Sequence, residues 1–141
     1  MQFSKPLVLS AILAIALPGA GRAWEYSKQR GVDLYQADSG GAAVSLICDP
    51  DSVYGKGSTA SAVLVELGGN PDISGPVELR FPDGNGVNAE LVHGRVGKME
   101  AGSAAWETLL AGFRAHQSIK VSVDGQAADV QLGTPKPFTC T

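Results

Sequence analysis

Val77-Glu78-Leu79-Arg80-Phe81 places an apolar side chain at every second position and a charge at each one between. Successive side chains of an extended strand point to opposite faces, so this stretch predicts a β-strand with one face in the core and one in water. Pro82-Asp83-Gly84-Asn85-Gly86 interrupts it with turn-forming residues, and Val87, Ala89 and Leu91 then resume the apolar face. Residues 77–92 therefore read as a β-hairpin. A second hairpin follows the same logic: Ile119, Val121 and Val123 alternate with Lys120 and Ser122, Asp124-Gly125 turns the chain, and Ala128, Val130 and Leu132 return. Asp-Gly suits a two-residue turn because both positions tolerate positive φ.

Working outward from these hairpins, Ala42 to Asp49 sets Val44, Leu46 and Cys48 on one face against Ala43, Ser45 and Ile47 on the other. Such a two-sided apolar strand suits a sheet centre. Thr59 to Leu67 is similar, with Val63, Val65 and Leu67 alternating against Leu64 and Glu66, and Gly68-Gly69-Asn70-Pro71-Asp72 ends it as a turn cluster. Near the start of the mature chain, Trp24 alternates with Tyr26 and Val32 with Leu34, which predicts one or two opening strands. Between the hairpins, Trp106, Leu109, Leu110 and Phe113 stand at offsets of zero, three, four and seven. That spacing lines one stripe of a helix over residues 104–115, with Ser103 as its N-cap. Gly112 inside it costs about 1 kcal/mol relative to Ala, so packing of the aromatic stripe has to hold the helix. The fold expected is mainly β: a small antiparallel sandwich or open barrel with one short helix.

Composition agrees with a single domain. The 141 residues are 44% hydrophobic and 18% charged, with no internal repeat, charge block or low-complexity linker. Residues 1–23 read as a secretory signal: Lys5 supplies the positive region, Leu7 to Leu17 the apolar run, and Gly21 and Ala23 the small residues before a cut ahead of Trp24. A cut after Ala20 is the second choice. The apolar run is shorter than the roughly 20 residues that cross a bilayer, and no second one follows, so the product is expected to be periplasmic or secreted with no transmembrane segment. No cysteine lies near the cut, which removes lipid attachment there. Processing before Trp24 removes two bases, Lys5 and Arg22, and no acid, so the formal charge moves from −3 to −5. That balance argues against nucleic acid and favours a basic protein or envelope component as partner.

Cys48 and Cys140 are the only cysteines, and an even count in an exported chain is read first as a disulfide. No Cys-x-x-Cys spacing or nearby histidine points instead to redox or metal chemistry.

Motifs for catalysis are sparse. There is no Gly-x-Ser-x-Gly elbow, and His93 and His116 are the only histidines. His93 closes a predicted strand beside Gly94 and Arg95, whereas His116 ends the predicted helix, where a cation complements the helix dipole. Gly55-Lys56-Gly57-Ser58-Thr59 lacks the spacing of a phosphate loop. Asp49-Pro50-Asp51 and Asp83-Gly84-Asn85 are oxygen-rich, yet turn chemistry explains them without calcium. Neither a cofactor nor a metal is expected. The loop residues Tyr54, Lys56, Asp83, Asn85 and His93 are the candidate partner contacts, because connections rather than strands tend to carry binding. The alternative is a small periplasmic hydrolase or metal-dependent enzyme that uses His93 with Asp83 or Glu90.

The late Ile119-Lys120-Val121-Ser122-Val123 strand, Val130-Gln131-Leu132-Gly133 and the closing Phe138-Thr139-Cys140, behind a signal peptide and a Trp-initiated β domain, resemble small exported proteobacterial proteins of the invasion-associated locus B type. The resemblance covers mainly residues 104–140. It implies a periplasmic or surface-associated accessory protein of β-sandwich type, with virulence-associated roles, and it carries over no catalytic residue.

Overall fold

The computed structural model describes residues 21–141, so all of the expected signal segment except its last three residues lies outside the described part. Among the described residues, nine strands form two antiparallel sheets. The first contains β1 (Glu25–Gln29), β2 (Val32–Asp38), β3 (Ala43–Cys48), β4 (Ala62–Glu66) and β7 (Arg95–Gly97), in that spatial order. The second has the order β6 (Gly86–Leu91), β5 (Gly75–Arg80), β8 (Ser118–Val123) and β9 (Gln126–Gln131). Two helices, α1 (Lys98–Ala101) and α2 (Ser103–Ala115), link β7 to β8. The two-sided apolar strand β3 occupies the middle of the first sheet, as expected of it.

Both expected hairpins form. β5 and β6 pair from Gly75↔Leu91 to Arg80↔Gly86, and β8 and β9 pair from Ser118↔Gln131 to Val123↔Gln126. Asp124 and Gly125 both have positive φ, 49° and 75°, the pairing of conformations that matches the strands' own twist. The same two-residue geometry recurs where the sequence announces it less clearly. Arg30 and Gly31 (φ 49° and 87°) join β1 to β2, and His93 and Gly94 (φ 51° and 73°) join β6 to β7. The last of these carries the chain from the second sheet into the first. A second corner is closed by the Trp24 backbone N–H, which donates to the Leu132 carbonyl at 2.9 Å.

Inward-facing residues of both sheets meet α2 in one core. Trp106, Leu109, Leu110 and Phe113 are all buried, as the helical stripe requires. The helix begins one residue earlier than expected: Gly102 is its cap residue, with no side-chain capping bond, and Ser103 is its first helical residue. Aromatic rings run through the core in edge contacts, from Phe81 to Phe113 to Trp24 to Phe138 to Tyr35, with centroids 4.8 to 5.5 Å apart. Each such pair adds about 0.5–1.5 kcal/mol beyond the area it buries.

β2 departs from the reading of its alternation. Val32 and Leu34 are only half-buried on the outer face, and the core row is Asp33, Tyr35 and Ala37. A carboxylate on the inward row disguised it. Asp33 is tolerated there because Tyr26 Oη and Thr139 Oγ1 donate to its two oxygens at 2.7 and 2.6 Å. Burial pushes this carboxyl up, but the bonds from Thr139 and Tyr26, with Lys28 nearby, outweigh burial and hold it below the ordinary range.

Cys48 and Cys140 are joined in a disulfide with their Cα atoms 4.7 Å apart, linking β3 to the closing segment. That segment has no regular secondary structure. It is held by Arg114 Nη2, which donates to the carbonyls of Phe138 (3.3 Å) and Cys140 (2.8 Å), and by Trp106 Nε1, which donates to the Thr141 carbonyl. No helix among the described residues is long and apolar enough to cross a membrane.

Candidate functional site

The loop residues singled out from sequence fall into separate places. Tyr54 Oη donates to the Arg30 carbonyl at 2.8 Å, which folds the β3–β4 connection over the β1–β2 turn. That connection starts at buried Asp49, whose carboxylate accepts the backbone N–H groups of Val53 and Tyr54 at 2.7 and 2.9 Å. Lys56 opens a 3-10 turn, Lys56–Ser58, that leads into β4, so Gly55 to Thr59 precedes a strand and not a helix. Asp83 and Asn85 form the β5–β6 turn: Asp83 Oδ1 accepts the Asn85 backbone N–H and Oδ2 accepts its side-chain amide, both at 2.9 Å.

His93 stands at the other end of the same hairpin. The six residues of β6 separate it from Asp83 by about 20 Å of strand, so these two do not form a dyad. Instead, His93 Nδ1 lies 2.8 Å from Asp72 Oδ1, and the His93 backbone N–H donates to Ser74 Oγ. Glu90 is exposed on β6, opposite Pro76. Asp83 pairs with the other histidine: His116 Nε2 is 3.1 Å from Asp83 Oδ2, and its ring stacks on Phe81. The Asn85 backbone N–H leads the effects that hold the Asp83 carboxyl below its ordinary range; burial opposes, and the Asn85 amide and His116 add to the lowering. The His116 pair borders a cavity of about 360 Å³ floored by Gly112 and Ala111 of α2. Among the described residues, no three His, Cys, Asp or Glu side chains gather in a way that would hold a metal ion.

One groove brings charged groups from several elements together. It lies on the outer face of the first sheet, about 350 Å³ in volume, with Ala43, Ser45 and Leu64 on its floor. Strand register builds it. Asp38, Ala43 and Glu66 are direct neighbours across β2, β3 and β4, so the two carboxylates flank a methyl group at about 10 Å between Cα atoms. Glu25 sits opposite Gln36, two residues along β2 from Asp38, and adds a third carboxylate to the border. His93, Gly94 and Pro71 form the opposite rim. Gly94 is fixed there because its N–H donates to Ile73 and its carbonyl accepts from Val65, both at 2.8 Å.

The charges on this face are mostly uncompensated. Arg22 Nη1 reaches Glu25 at 3.2 Å, and both side chains are exposed. Asp38 and Glu66 have no ion-pair partner among the described residues. Arg95, which pairs with Leu64 in the sheet, turns its guanidinium to the Ala60 carbonyl.

Of the residues that border this groove, only His93 is a candidate contact in the sequence. Glu66 is visible as the polar member of an alternating strand, and Asp38 follows the alternating Val32 and Leu34. Their meeting depends on cross-strand register, which no local pattern encodes.

No protein-family model, curated protein or solved structure matches this chain.

Proposed function

We propose that this chain is an exported, non-enzymatic accessory protein that acts by direct contact with a basic protein partner, in the periplasm or outside the cell. The carrying observation is the groove on the open face of the first sheet, bordered by Glu25, Asp38 and Glu66; among the described residues Asp38 and Glu66 have no ion-pair partner, and Glu25 has only Arg22, which cleavage before Trp24 would remove. A concave surface of one charge sign concentrates field lines, steers an oppositely charged partner and fixes its register. The disulfide supports the assignment to an oxidising compartment, where such bonds persist.

The test is affinity capture from envelope extract with the disulfide-intact protein and with the triple variant Glu25→Gln, Asp38→Asn, Glu66→Gln, at low and raised salt. A stoichiometric basic protein retained by the wild type, and lost both with salt and in the variant, is the expected result. Identical capture by the two proteins would overturn it.

One observation favours a second reading, a hydrolase. Asp72 on Nδ1 of His93 is the arrangement that orients an imidazole base, and this histidine stands on the groove rim. His93→Asn keeps a residue that tolerates the left-handed turn conformation while removing the imidazole. Ester or phosphodiester hydrolysis by the wild type that disappears in His93→Asn, with the fold retained, would establish this reading.

A further inference from the structure

We propose that the notch between Asp38 and Glu66 seats the guanidinium of a single arginine, presented by an extended segment of the partner protein. The inference rests on the basic-partner reading and adds the residue that the groove selects. Three features of the notch suit an arginine, and the first of them sets it apart from other cations.

The first is width. Asp38 and Glu66 approach from opposite sides of Ala43, whose methyl group leaves the space between them open. A guanidinium is planar and carries five N–H donors in a fixed fork, so it can donate to carboxylates on two sides at once. An ammonium is a compact, strongly hydrated charge suited to one of them. The second is the floor. Ser45 is only 7% exposed and lines the groove. A serine hydroxyl on that floor can accept a further N–H. The third is the approach. Half-buried Leu64 and the ring of Pro71 offer an apolar path for the methylene stem behind the charged head.

The experiment is a titration of the purified, disulfide-intact protein with acetyl-Val-Arg-Val-amide and its lysine and citrulline counterparts, followed by backbone amide shifts in NMR. The arginine peptide is expected to shift the amides of Ala43, Ser45 and Glu66. The lysine peptide should bind about tenfold more weakly, since one charge-assisted hydrogen bond is worth roughly that factor, and the citrulline peptide should not bind. Ala43→Leu fills the notch without altering charge and should abolish the arginine shifts. Should that variant fail to fold, Ser45→Ala should still weaken arginine binding several-fold while leaving lysine binding unchanged. Equal binding of arginine and lysine, arginine binding that survives Ala43→Leu, or no binding by any peptide would each overturn the notch. The basic-partner reading would still stand or fall separately, on salt-sensitive capture by the whole protein and its loss in the charge-removal variant.

Discussion

Gly112→Ala tests the packing argument by the sign of its effect. Gly112 lies inside α2, where alanine favours the helix by about 1 kcal/mol. Helix propensity alone therefore predicts a stabilised protein. The structure predicts the reverse, because a Cβ on Gly112 would overlap three carbons of the Phe81 ring. Carbon atoms settle at about 3.5–4.0 Å, so the ring would have to retreat by more than an ångström. Its neighbours resist that shift: Phe81 is 3% exposed, meets Phe113 edge-on at 5.5 Å and stacks on His116 at 5.4 Å. Overpacking of this kind costs about 1–3 kcal/mol, and the confined ring places this case at the upper end. Subtracting the helical gain leaves about 2 kcal/mol of net destabilisation. For a domain of this size, about 1 kcal/mol moves Tm by roughly 4 °C, so the expected fall is about 8 °C. Thermal unfolding followed by circular dichroism, with the disulfide intact, measures it. A rise of about 4 °C would refute the close approach of helix and ring. Combining the change with Phe81→Leu should cancel most of the penalty, since the two sites share one contact.

Replacing Cys48 and Cys140 together by alanine frees a loop spanning 92 positions, which the chain-entropy model values at about 4.6 kcal/mol. The denaturant midpoint of the double variant should fall accordingly, and a loss below about 1 kcal/mol would show that the closing segment is held by its other contacts alone. Asp33 has a folded pKa below its unfolded one, so its stabilisation is fully present above the unfolded value of roughly 3.9 and disappears as pH falls through the folded value. Thr139→Ala, which removes one of its donors, should flatten the decline of wild-type Tm between about pH 4 and pH 2, whereas an unchanged slope would contradict the assignment. Tyr26 shows the opposite sign: its hydrogen bond to Asp33, then burial and the Asp33 charge, raise the phenol above its usual range. Tyr26→Phe should therefore remove a stability loss that the wild type shows as pH rises beyond about 10.

How much was legible depended on whether a feature is local. The β5–β6 and β8–β9 hairpins were readable because period-two alternation and turn residues lie side by side in the chain. The stripe Trp106, Leu109, Leu110 and Phe113 was readable because helical spacing is local too. The Cys48–Cys140 bond was readable only because two cysteines permit a single intramolecular pairing. Asp33 was not, because a buried carboxylate makes sense only once Tyr26 and Thr139, residues from two other segments, are in place around it. The partner of His93 was misassigned for a related reason. Asp83 and Glu90 were near in sequence, whereas Asp72 arrives through the preceding turn. The acidic groove is the least local feature of all, a product of four strands in register.

The disulfide also orders events in time. A chain that emerges from a pore or a ribosome N-terminus first can pair β1 to β4 early, since each joins its neighbour in sequence. Cys48 must nevertheless wait through the whole second sheet and α2 for its partner, and Phe138, which packs on Trp24 and Tyr35, arrives with it. Until then the thiol of β3 and the aromatic end of the core stand open to solvent, available to oxidants, wrong partners and chaperones alike. The last segment thus closes both the covalent link and the aromatic end of the core in a single step of assembly.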